Sequence, residues 1–142
     1  MSRLWALLFL ALPIWAFGEP RIVTEKSDSA QPVAIAILEH LAAGRIAEAA
    51  KHSNEPKSRE EVLRNYMASV GEDEFKRVFA EYLSHPVASE IAIGPRRLIM
   101  WQLGERLAGQ YYVQSGETFL MDDRPSEERS ELRRVLESYR RR

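Results

Sequence analysis

The most constraining feature of this chain is the run Arg97 to Leu103, which carries apolar side chains in both phases of a strand. With a side-chain period of two, Leu98 and Met100 face one side while Ile99, Trp101 and Leu103 face the other. A strand without a polar face is central in its sheet and covered on both sides. The rest of the chain must therefore supply strand neighbours and two covering layers.

The sequence upstream reads as helix. Pro32 suits a first helical turn, and Val33, Ile37, Leu38 and Leu41 follow at helical spacing until Gly44. A short second helix carries Ile46, Ala49 and Ala50. The stretch His52 to Lys57, with Asn54 and Pro56, reads as a loop. Ser58-Arg59-Glu60-Glu61 has the form of a capping box, and Val62, Leu63, Tyr66, Met67 and Val70 extend that helix to Gly71. A further helix begins near Asp73, with Phe75, Val78, Phe79, Tyr82 and Leu83 as its stripe, and Pro86 stops it.

Downstream the period changes. Ile91 and Ile93 alternate, and Gly94-Pro95 turns the chain into the two-faced run. After Gly104-Glu105, Leu107, Tyr111 and Val113 share one face, opposite Gln110, Tyr112 and Gln114. Ser115-Gly116 reads as a hairpin turn and Glu117 to Met121 as a last strand. From about Pro125 to Tyr139 the pattern returns to helix, with Leu132, Val135, Leu136 and Tyr139 on one stripe. The expected fold is α+β: N-terminal helices packed on a curved antiparallel β-meander, with an added C-terminal helix, over residues 32–142.

Residues 1–18 read as a cleavable signal peptide. Arg3 precedes a charge-free apolar run from Leu4 to Phe17, and Ala16 and Gly18 are small residues suited to a peptidase. A spanning helix needs about 20 apolar residues; this run is shorter and Pro13 breaks its hydrogen bonding. Export, periplasmic or secreted, is therefore expected, with no stable membrane span after cleavage. Residues 19–31, polar and aperiodic, read as a linker. Cleavage leaves 124 residues of net charge −2 and no cysteine. That size suits one core, and the charge gives no general attraction to nucleic acid.

The stretch Ala36-Ile37-Leu38-Glu39-His40-Leu41-Ala42-Ala43-Gly44-Arg45-Ile46-Ala47-Glu48-Ala49-Ala50 resembles the opening of nuclear transport factor 2-like domains. There a helix ends at a glycine before a short alanine-rich helix, and a curved antiparallel sheet follows. The resemblance covers roughly residues 32–121. It implies a cone with a pocket between sheet and helices, in a family of isomerases, dehydratases and non-enzymatic binding domains. It carries over no functional residue.

Four sets of residues are candidates for chemistry. His40, His52 and His85 lack metal-ligand spacing, and His85 at a helix end is explained by the helix dipole; no metal and no cofactor are expected. Asp122 and Asp123 form an acid pair, although neighbours on a strand point to opposite faces and aspartates ahead of a helix cap it. Trp101, Tyr111, Tyr112 and Phe119 belong to a sheet core or line an apolar pocket. Among them Tyr112 looks least core-like, because Gln110 and Gln114 share its face. The C-terminal arginines Arg133, Arg134, Arg140, Arg141 and Arg142 read as a solvated face diluted by acids, with Glu137 placed to pair with Arg141; an anionic surface is the alternative partner.

The pocket candidates are thus Trp101, Tyr111, Tyr112, Phe119 and Asp122, with no catalytic residue assigned. The expected function is non-enzymatic binding of a small apolar ligand or an envelope protein partner, a homodimer being compatible. The competing expectation is a small isomerase- or hydrolase-type enzyme with a carboxylate and a tyrosine in the pocket.

Overall fold

The computed structural model describes residues 18–142. The signal-peptide reading therefore falls, save for Gly18, outside the described residues. Strand β1 (Arg21–Ile22) and one 3-10 turn (Lys26–Asp28) lead into four helices: α1 (Gln31–Ala42), α2 (Ile46–Ala50), α3 (Pro56–Val70) and α4 (Glu72–Leu83). Strands β2 (Val87–Ile93), β3 (Arg96–Leu103), β4 (Arg106–Ser115) and β5 (Thr118–Met121) follow, then helix α5 (Glu127–Arg140). This is the α+β architecture expected.

The five strands pair antiparallel in the order β1-β2-β3-β4-β5. Two-residue turns at Gly94-Pro95, Gly104-Glu105 and Gly116-Glu117 connect β2 to β5. Each glycine has positive φ while its successor does not, the pattern of turns whose twist matches that of the flanking strands. The third turn thus lies one residue later than the Ser115-Gly116 reading, because the glycine takes the first of the two central positions.

The two-faced reading of β3 holds. Ile99, Trp101 and Leu103 join the core beneath α1, α3 and α4, which also contains Ile37, Leu38 and Phe75. Leu98 and Met100 join Ile91, Ile93, Leu132 and Leu136 beneath α5. The sheet is thus covered by a helical layer on one face and by α5 on the other. The β2–β3 pairing slips once between Val87 and Ser89.

Three expectations need correction. The segment read as a linker contributes β1, whose Arg21 and Ile22 lie opposite Ala92 and Ile91. Helix α3 starts at Pro56, so Ser58 sits inside its first turn and caps nothing; proline fits the first turn because its missing N–H would have no helical acceptor there. Along α3 only Leu63 is buried, with Tyr66 and Met67 packed at its margin, whereas Val62 is 54% exposed.

Candidate functional site

The sheet face under the helices carries two buried charges. Glu90 is 2% exposed. Its carboxylate accepts from the Ser29 hydroxyl at 2.6 Å, the Ala30 N–H at 2.9 Å and the Gln31 amide at 3.3 Å. It thereby serves donors at the start of α1, where the backbone lacks helical acceptors and the dipole favours negative charge. Arg97, also 2% exposed, donates to Asp28 Oδ1 at 2.6 Å and to the Gly94 carbonyl at 2.7 Å. Its guanidinium lies 5.2 Å from the Phe119 ring centroid. Both charges anchor the segment from Asp28 to Gln31, so they hold the fold together.

Across the strands from these charges, at the β4 side of this face, a cavity of about 170 Å³ lies between the helices and β4. Ile37 and Leu41 of α1, Leu63 of α3 and Phe79 of α4 form its apolar wall. Gln110 and Tyr112 of β4 face them, with Arg59 and Asp123 beside. β5 pairs only with Tyr112 to Ser115, so the stretch around Gly109 and Gln110 is a sheet edge, and the cavity reaches it.

The polar wall is tightly connected. Trp101 Nε1 donates to Gln110 Oε1 at 3.0 Å, and the Tyr112 hydroxyl donates to the same oxygen at 3.1 Å. Burial pushes the Tyr112 phenol far above its ordinary pKa, so it remains a proton donor. Asp123 accepts from Arg59 and from the Ser53 hydroxyl. Burial alone would raise its pKa, but the bonds from Arg59 and Ser53 outweigh that and hold it below the usual carboxylate range. Asp122, 2% exposed, accepts from Arg96 at 2.6 Å and Asn54 at 3.0 Å.

The two aspartates diverge as expected of strand neighbours: Asp122 meets Arg96 and Asp123 meets Arg59. Their expected capping role is corrected, because Ser126 caps α5 by accepting from the Arg129 N–H at 3.1 Å. Instead they fasten the 53–59 segment to the end of the sheet. The Asn54 N–H donates to the Met121 carbonyl at 3.1 Å, and the Asp123 N–H donates to Asn54 Oδ1 at 2.8 Å.

Of the five pocket candidates, Tyr111, Tyr112 and Asp122 border the cavity. Tyr111 does so from the strand edge, its ring lying under the Arg129 guanidinium, 4.8 Å away. Trp101 stands behind the wall, 5.9 Å edge-on from Tyr82. Phe119 lies away from the cavity, against Arg97. The expectation that Tyr112 is least core-like is reversed. It is 1% exposed, because the face it shares with Gln110 is the one the helices cover. Gln110, Arg59 and the helical wall were not singled out from sequence. A glutamine flanked by Tyr112 and in phase with Trp101 was the available signal.

The remaining candidates separate. His40 and His52 stack with ring centroids 6.2 Å apart, and His40 Nδ1 accepts from Arg45 Nε at 3.0 Å. Among the described residues no three His, Asp or Glu groups converge as a metal site. His85 Nδ1 sits 2.8 Å from the Glu81 carbonyl at the end of α4. Glu137 pairs with Arg140 at 3.1 Å and not with Arg141, and Arg134 pairs with Glu131 at 2.9 Å. No described helix is long and apolar enough to cross a membrane. Comparison with family models, with curated proteins and with solved structures finds no match.

Proposed function

We propose that this chain is an exported, non-enzymatic binding domain that takes a small, largely apolar molecule into the cavity between α1, α3, α4 and β4. The observation that carries this reading is the division of the cavity into an apolar helical wall and a short polar wall on β4, the usual composition of small-molecule sites. Its volume of about 170 Å³ suits one ring, since an engineered cavity of about 150 Å³ in another protein accepts benzene. The order of helices, then antiparallel sheet, supports the likeness to nuclear transport factor 2-like domains, whose pocket lies between the same layers.

Binding is favoured over catalysis by the state of the nearby acids and phenol. A general base needs a pKa near the working pH and a free lone pair aimed at substrate. Here every oxygen of Asp122 and Asp123 already accepts a hydrogen bond from a side chain, and Tyr112 is held protonated. The export reading rests on the residue pattern of the first 18 positions.

Binding is tested with the full chain carrying Trp5→Phe and Trp15→Phe, which leaves Trp101 as the sole tryptophan. Titration with single-ring compounds is expected to change Trp101 emission saturably, and calorimetry on the unaltered chain to give the same affinity. Absence of saturable binding across such a panel would remove the reading. Export is checked by the mass of the protein recovered from cells: loss of residues 1–18 is expected, and an intact N-terminus in the cytosol would refute it.

A further inference from the structure

We infer that the cavity selects ligands bearing an oxygen acceptor, a ketone or carboxylate on a small ring, through the amide nitrogen of Gln110. This rests on the cavity being a binding site and specifies what it reads. The orientation of the Gln110 amide is settled by chemistry. An indole N–H is only ever a donor, so the group 3.0 Å from Trp101 Nε1 must be the amide oxygen. The opposite orientation would set donor against donor. The Tyr112 hydroxyl then adds a second donor to that oxygen.

With its oxygen committed twice, the amide has only its two N–H donors left to offer. Among the described residues Nε2 has no hydrogen-bond partner, yet it is not a sealed, unsatisfied atom. Gln110 lines the cavity together with Ile37, Leu41, Leu63 and Phe79, none of which has a side chain able to accept, and the carboxylates that share the lining, Asp122 and Asp123, are engaged by Asn54, Arg96, Ser53 and Arg59. A fixed donor beside apolar side chains gives a preference between ligands of equal shape. One that supplies an acceptor completes the donor's bonding, and one that lacks it excludes water from the donor and leaves it unpaired. Trp101 and Tyr112 hold the donor in place, so little ordering is needed on binding.

Arg59 and Arg129 also border the cavity, together with Asp122 and Asp123. The formal charges of these four cancel, so the geometry calls for an acceptor atom and does not require an anion. Acetophenone, benzoate and ethylbenzene separate these possibilities, being single-ring probes with a neutral acceptor, a charged acceptor and none.

The test is calorimetric titration of the full chain with the three probes, paired with side-chain amide ¹⁵N–¹H spectra in which the Gln110 signals are assigned. Acetophenone is expected to bind about tenfold more tightly than ethylbenzene, the scale of one good hydrogen bond. The Gln110 N–H signals should shift with acetophenone or benzoate and hardly at all with ethylbenzene. In Gln110→Glu at pH 8 the side chain still accepts from Trp101 and Tyr112 but offers no donor, so the preference should fall to about onefold. Equal affinity for acetophenone and ethylbenzene, with unmoved Gln110 signals, overturns the inference while leaving the cavity as a binding site. Failure of all three probes to bind overturns both. The wild-type spectra decide the matter even where Gln110→Glu folds poorly.

Discussion

The two faces of the sheet are built by different rules. Under α5 the contact is aliphatic and close: Leu98, Met100, Ile91 and Ile93 meet Leu132 and Leu136. Gly109 lets the helix approach so closely that a Cβ there would stand 2.6 Å from Leu136 Cδ2. Under α1, α3 and α4 the face is mixed. It holds Phe75 and Ile99 but also Glu90, Arg97, Gln110 and Tyr112, and it leaves the cavity. The α5 face is filled by aliphatic packing, with one polar pair, Arg96 and Asp122, at its end, whereas the other face carries Glu90, Arg97, Gln110 and Tyr112 and borders the cavity. Aliphatic packing and the proposed binding site are thus divided between the sides of one strand set, while both sides contribute buried contacts that hold the sheet.

That division is most strongly tested on the aliphatic side. Leu132 is fully buried, and Leu132→Ala is expected to cost about 3 kcal/mol in urea unfolding, while the affinity of acetophenone for the folded protein stays unchanged. A parallel loss of affinity would show that the faces are coupled. Arg97→Met, on the mixed face, should cost about 2 kcal/mol, below the range for wholly buried pairs because Asp28 is a third exposed and retains Arg21. It removes the donor to the Gly94 carbonyl and the cation over Phe119. A neutral result would mean that Met packing against Phe119 replaces the ion.

Gly109→Ala should cost about 1 kcal/mol, since the added methyl pushes against the ends of Leu136 and Leu98. The backbone at Gly109 does not have positive φ, so crowding is the whole cause. Combining it with Leu136→Ala should give a cost below the sum of the two single costs. Additive costs would place the strain elsewhere.

What sequence reveals follows the same division. The aliphatic face was legible because Leu98 and Met100 on β3 and Leu132 and Leu136 on α5 each keep their element's period, and burial needs nothing more. The site was less legible because its members are joined by pairing over long separations. Arg59 reaches Asp123 and Asn54 reaches Asp122 across more than sixty residues. Polarity misled at Gln110 and Tyr112: two glutamines beside a tyrosine read as a solvent face, whereas the glutamine nearest the helices is the hydrogen-bonding centre of a buried wall. The 19–31 stretch likewise looked free, since a two-residue strand has no period, and its anchors Glu90 and Arg97 lie in strands far along the chain.

The smallest expected effect is a difference in acid response. Asp28 is held below the usual carboxylate range, chiefly by its bond to Arg21 and further by Arg97; Asp123 is held there by Arg59 and Ser53. In the unfolded chain an aspartate titrates at about 3.9. As pH falls towards that value the unfolded state takes up protons before the folded state, so stability declines. The contribution is complete above the unfolded pKa and is lost as pH drops through the lower folded values. The urea midpoint should therefore fall as pH is lowered below about 4.5, and Asp28→Asn should flatten that fall. On the α5 side, Glu131 is lowered by its bond to Arg134, but the pair lies at the surface, with the Glu131 side chain 43% exposed, so salt screens it. Repeating the series in about 0.5 M sodium chloride, where screening lengths shrink to a few ångströms, separates the two. A slope that survives salt belongs to Asp123 and to the part of Asp28 that rests on buried Arg97, because the Asp28–Arg21 pair is exposed and is screened as well. A slope that vanishes in salt, and is untouched by Asp28→Asn, would assign the acid response to surface pairs and break the distinction.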